Sequence, residues 1–209
     1  VALILAGLFV DQHVAPWGQP AVSLAAWAML LWWMTRSVAP ARLSLATCVI
    51  YATLGEIVLS LVWGLYDYRL GNIPLFVPPG HALLFALGLR LATRLPDWVT
   101  WAIPAAAAPL VVALAWTGSD TLGPPLFALL LACMALSRAR KLYAVMFLLA
   151  LAMEIYGTAL GNWRWHAEVP GLGLHTLNPP LAAGAFYCVL DLLVVGTAAL
   201  LRRRAQPAG

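Results

Sequence analysis

Long apolar runs, broken at four places by basic clusters, commit this chain to a bilayer. Arg36 and Arg42, Arg90 and Arg94, Arg138 with Arg140 and Lys141, and Arg202 to Arg204 hold ten of the twelve Lys and Arg residues. The stretches between them approach membrane-spanning length and carry almost no charge. Only 10% of the residues are charged and 63% are hydrophobic, whereas a soluble domain carries about a quarter charged residues. Too little polar surface remains to cover a water-soluble globule. Clusters spaced in this way follow the positive-inside rule. They form no basic stripe interleaved with aromatics, so nucleic acid is not an expected partner.

Taken in order, Pro20–Met34, Leu43–Trp63, His81–Leu89, Val99–Trp116, Pro124–Leu136, Leu142–Leu160 and Leu181–Leu201 read as seven spans. Val1–Val10 makes an eighth if residues precede Val1, which is not a Met. The expectation is therefore an all-α, polytopic membrane bundle of seven to eight transmembrane helices. Its loops 36–42, 90–94, 138–141 and 202–204 would face the cytoplasm. The aromatic loops 64–79 and 161–179 would lie on the opposite side. Pro104 and Pro109 fall inside one span, which membrane helices tolerate. Cys48, Cys133 and Cys188 stand singly in apolar runs, with no CxxC pair, so neither a disulfide framework nor a thiolate metal site is expected.

One pattern occurs twice. Glu56 is followed by Gly64, Tyr66, Asp67, Tyr68 and Arg69, then by Pro78-Pro79-Gly80-His81. Glu154 is followed by Gly157, Gly161, Trp163, Arg164 and Trp165, then by Asn178-Pro179-Pro180. Glu154 lies 98 positions after Glu56, and Trp163 lies 97 after Tyr66. This predicts an internal duplication, residues 1–98 and 99–209 of one membrane domain. Each half would hold four helices, an even number, making the repeat parallel.

Glu56 and Glu154 sit at similar depth, and Asp191 lies ten residues into the last span. A charged carboxylate at such depth costs about 2.5–3.5 kcal/mol or more unless paired or wetted. Low dielectric favours the neutral form of a carboxyl, which makes these three groups candidate catalytic acids or bases. Their plainer role is a helix–helix hydrogen bond that fixes packing. Trp63, Tyr66, Tyr68, His81, Trp163, Trp165 and Asn178 are candidate substrate-binding residues beside them. Interfacial anchoring explains the Trp and Tyr residues equally well, and turn chemistry explains Asn178. Ion pairs among Arg69, Arg164, Asp67 and Glu168 would staple the loops. Imidazole and carboxylate suit Zn or Fe, yet no HxxxH or HExxH spacing occurs and the two motifs do not share their histidines. No metal or cofactor is expected. GxSxG, a Walker lysine and GxGxxG after a strand are all missing, and the lone Lys141 sits in a basic loop.

Glu154-x-x-Gly157, Gly161-x-Trp163-x-Trp165 and a Pro-containing start to the next span resemble the membrane carotenoid hydratases of the bacterioruberin pathway. More distantly, they resemble the small lycopene cyclase domains, which pair an intramembrane acid with an aromatic-x-aromatic loop. The likeness covers roughly residues 150–195, and residues 52–90 less fully. Arg164 and Asn178-Pro179-Pro180 depart from both patterns. The resemblance implies acid chemistry on an isoprenoid double bond, with a protonated carboxyl in a dry pocket and aromatic faces beside the developing cation. The expected partners are a lipophilic, isoprenoid or carotenoid-like substrate and the bilayer. The rival readings are a proton-coupled transporter of small molecules or lipids using the same acids, and a structural or metal- or haem-binding membrane subunit.

Overall fold

In the computed structural model, which describes residues 1–205 and side chains as far as Leu201, the chain is a helical bundle with two short β-pairs. The predicted basic group Arg202 to Arg204 lies outside the described side chains. The helices are α1 (Ala2–His13), α2 (Gly18–Thr35), α3 (Ala39–Glu56), α4 (Val77–Arg94), α5 (Val99–Trp116), α6 (Gly123–Leu136), α7 (Arg140–Leu160) and α8 (Gly184–Ala205). A π-helical segment, Ile57–Val62, continues α3. Four helical stretches are long and apolar enough to cross a membrane: Ala39–Val62, Val99–Trp116, Arg140–Leu160 and Gly184–Leu201. The outward faces suit that solvent. Leu24, Ile50, Leu61, Val62, Val112, Leu148 and Ile155 are exposed large apolar side chains, and an apolar face this extensive is not what a water-soluble monomer presents.

Prolines occupy the first turns of α3, α4 and α6, where the missing N–H has no helical partner to lose. α7 ends at Gly161, whose φ of 84° makes the left-handed C-terminal turn that glycine adopts without penalty. α3, α4, α7 and α8 form a closed ring in which each packs on the next, α8 returning to α3. α1 and α2 flank the α7–α4 side, and α5 and α6 flank α7 and α8. Close approach of α8 to α7 depends on Gly184, since a Cβ there would collide with the Phe147 backbone.

The aromatic loops are not plain connectors. β1 (Tyr66–Tyr68) pairs antiparallel with β2 (Trp163–Trp165), and β3 (Glu168–Val169) pairs with β4 (Leu174–His175). These small sheets cap one end of the ring. Asp120 joins the cap to the helices: its Oδ1 accepts from the Gly123 N–H at 2.9 Å and its Oδ2 from the Leu181 N–H at 2.8 Å. Burial holds its carboxyl above the usual range, against the pull of those two donors. At the other end, Arg36 stacks over Trp32 and Arg90 over Trp33. Lys141 reaches Asp97 there at 2.6 Å, and that hydrogen bond draws the exposed Asp97 carboxyl below its ordinary value.

Candidate paired-acid site

Strand pairing brings the two sequence motifs face to face. The register sets Tyr66 opposite Trp165, Asp67 opposite Arg164, and Tyr68 opposite Trp163. Side chains alternate along a strand, so the four rings turn inward and are buried while Asp67 and Arg164 face out. Tyr66 lies 4.8 Å from Trp165 and Tyr68 lies 6.2 Å from Trp163, ring centre to ring centre.

Each inward pair of rings is hydrogen-bonded to the acid of its own motif. Glu56 Oε2 accepts from Tyr66 Oη at 2.8 Å and from Tyr68 Oη at 2.7 Å. Glu154 Oε2 accepts from Trp163 Nε1 at 2.7 Å and from Trp165 Nε1 at 3.0 Å. The rings follow their acid by 10 and 12 positions in the first motif, and by 9 and 11 in the second. The π-helical segment directly after Glu56 explains the odd residue, because it takes more residues per turn than an α-helix. Burial, and then the neighbouring Glu56 charge, hold the Tyr66 and Tyr68 phenols well above their ordinary range. Gly157, three residues after Glu154 and so on the same helix face, makes room for this arrangement. A Cβ there would overlap the Trp163 ring.

The second oxygens of the two acids turn toward a different pair of rings. Tyr187 Oη donates to Glu154 Oε1 at 2.9 Å. His81 Nε2 lies 3.8 Å from Glu56 Oε1, too far for a hydrogen bond and close for a proton partner. The His81 and Tyr187 rings stack at 4.7 Å with planes 4° apart. Glu56, Tyr66, His81, Glu154 and Tyr187 line two apolar recesses at once. One recess lies against α1, α2 and α4, reaching Leu8, Val22 and Leu83. The other runs between α3 and α8, bounded by Leu54, Val58 and Leu193. These last three are about half exposed, at 52%, 51% and 45%, so this recess opens sideways on the apolar surface.

The remaining predicted residues are placed differently. Asp191 is buried, with an unpartnered Oδ2, but lines neither recess. Trp63 lines neither; its Nε1 donates to the Pro170 carbonyl at 3.0 Å and anchors the cap. Asn178 accepts from the Trp165 backbone N–H at 2.9 Å and lines a polar outer recess with Asp67, Arg69, Arg164 and His166. That outer recess shares Tyr68, Trp163 and Trp165 with the acid site. The loop staples use other partners than the expected ones. Arg69 pairs with Asp11 at 3.3 Å, Asn162 donates to Asp11 at 2.7 Å, and Asp67 meets His166 at 2.7 Å. Among the described residues, no group of three or more His, Cys, Asp and Glu side chains comes together to hold a metal ion.

Tyr187 and Asp11 join these networks without a sequence motif that marks them. The available signal for Tyr187 was a hydroxyl-bearing ring one helical turn before Asp191. For Asp11 it was an acid facing the same end as Arg69.

Fold and site together define a helical protein with four membrane-length apolar helices and a ring-capped pair of buried acids. No protein-family model, curated protein or solved structure matches the chain.

Proposed function

We propose that this is an integral membrane enzyme that protonates a double bond of a lipophilic, isoprenoid-like substrate and completes the reaction by hydration or cyclisation. One observation carries this reading. Two carboxyls from different helices each have one oxygen saturated by ring donors, and both line the same apolar recesses. Trp Nε1 can only donate, so Glu154 Oε2 serves its two indoles as acceptor. With Tyr187 on Oε1, Glu154 is a fixed electronegative wall for a positive charge. Glu56 has only Oε1 free of a direct hydrogen bond, so the transferable proton belongs there. Protonation forms a C–H bond and leaves a carbocation, which ring faces in the recess stabilise by cation–π attraction. A water from the polar outer recess then adds to it, or an internal double bond closes a ring. The opening between α3 and α8 gives a hydrocarbon chain a path from the bilayer. The likeness to carotenoid hydratases points to the same chemistry.

The seven- or eight-span path and the parallel duplication belong to this proposal. Helix pairings support four plus four: α1–α2 with α5–α6, α2–α4 with α6–α8, and α3–α4 with α7–α8. α5 breaks the correspondence by packing on α7. The basic loops would face the cytoplasm. A transporter is the second reading, favoured by Asp191, an acid buried one helical turn nearer the basic end than Tyr187.

The test is conversion of lycopene, an acyclic polyene, by the purified protein in lipid nanodiscs made up in deuterated water. The expected product is hydrated or cyclised and carries one new C–D bond. Recovery of unlabelled, unconverted polyene with a correctly folded protein would contradict the proposal.

A further inference from the structure

We infer that His81 is the proton carrier that resets Glu56 between turnovers, with Tyr187 as its positioning residue. This rests on the acid-chemistry reading above and assigns a role that reading leaves empty. After Glu56 gives its proton to the alkene, the water that adds to the cation must lose one, and something has to return it to Glu56 Oε1.

The geometry around His81 selects it. Its Nδ1 lies 3.1 Å from the Val77 carbonyl, one turn back on α4. A carbonyl only accepts, so Nδ1 carries the hydrogen, and in the neutral ring Nε2 presents a bare lone pair. That lone pair faces Glu56 Oε1 at 3.8 Å. The carbonyl anchor keeps the ring from turning away, and the parallel face of Tyr187 at 4.7 Å prevents tilting. A ring protonated at Nε2 would meet an aromatic face on one side and Glu56 ahead, with Glu154 held behind Tyr187 at 2.9 Å. Glu56 Oε2 is closed to this traffic by the Tyr66 and Tyr68 hydroxyls.

The step balances. The Glu56 O–H bond breaks as the substrate C–H bond forms. Water oxygen bonds to the cationic carbon, and its O–H proton passes to His81 Nε2. The Nε2–H bond then breaks as Glu56 Oε1–H re-forms. The sum is alkene plus water giving alcohol, with every protein group restored. In a cyclisation the proton delivered to His81 comes from carbon, and the sum is an isomerisation.

Two measurements test the assignment. The first is nitrogen NMR of histidine-labelled protein in nanodiscs, with the His81 signal identified by its loss in His81→Gln. The expected neutral ring is protonated at Nδ1 and bare at Nε2, and Tyr187→Leu broadens or shifts that signal. A neutral ring protonated at Nε2 overturns the relay whether or not the enzyme converts lycopene. The second measurement follows steady-state turnover of lycopene. His81→Gln and His81→Ala should each lower it about 10²-fold, the usual scale of general acid–base assistance, and added imidazole should restore part of the loss in His81→Ala. Unchanged turnover in either variant, or a loss in His81→Ala that imidazole leaves untouched, overturns the assignment. Wild-type protein that never converts the polyene overturns the acid chemistry itself, and the role of His81 with it.

Discussion

At the level of single residues, each acid is held by a different kind of donor. Tyr hydroxyls hold Glu56 and Trp indoles hold Glu154, so the two carboxyls are near-equivalent in place and distinct in chemistry. Trp163→Phe keeps a ring in the cap and removes one N–H from Glu154 Oε2. A hydrogen bond to a charged group contributes about 1.5–3 kcal/mol, so turnover should fall about tenfold or more with the melting temperature lowered. Trp165→Phe should behave alike. The double variant should lose less than the sum, because both donors serve one oxygen. Kinetics and thermal melts on the three proteins check this. Gly157→Ala attacks the same contact from below. Overpacking costs about 1–3 kcal/mol, and Trp163→Leu in the same protein should recover most of the lost stability.

At the level of elements, the sequence shows depth and hides direction. An acid in an apolar run, followed at fixed distance by two rings, was legible as a unit, and in the structure each unit is joined by hydrogen bonds. Facing of the units was not legible, since nothing along the chain specifies that a three-residue strand in one loop pairs with another almost 100 positions on. Asp191 and Tyr187 illustrate the same limit. They stand four residues apart on α8, about 6 Å along its axis, and only Tyr187 reaches the recess. Hydropathy does not encode which of the two turns toward the recess. The one-residue difference between the motifs likewise had no meaning until the π-helical segment accounted for it. Asp120 governs how the cap is fixed to α6 and α8. Asp120→Ala strands two backbone N–H groups, each costing about 1–3 kcal/mol if left buried and unpaired. Thermal melts should show a clear loss of stability.

For the whole molecule, hydropathy and the basic clusters lead one to expect apolar helices of membrane-spanning length. Four helices of spanning length and an apolar exterior accord with that. The order of spans and their sidedness can be tested with single cysteines, because Cys48, Cys133 and Cys188 are all buried and give a quiet background. In sealed vesicles of known orientation, a membrane-impermeant maleimide should label Ser119→Cys from the outer side only and Ser37→Cys from the cytoplasmic side only. Labelling of both from one side would contradict the proposed path. The two recesses meet at the acids, and one of them opens on the apolar surface beside Leu54, Val58 and Leu193.

The most direct measurement is turnover of lycopene in deuterated water by Glu56→Gln and Glu154→Gln, each verified as folded by its melting curve in nanodiscs. Loss of C–D product by about 10²–10⁴-fold in both variants is expected from removing a general acid and its charged partner. Full turnover in either folded variant would contradict the paired-acid site.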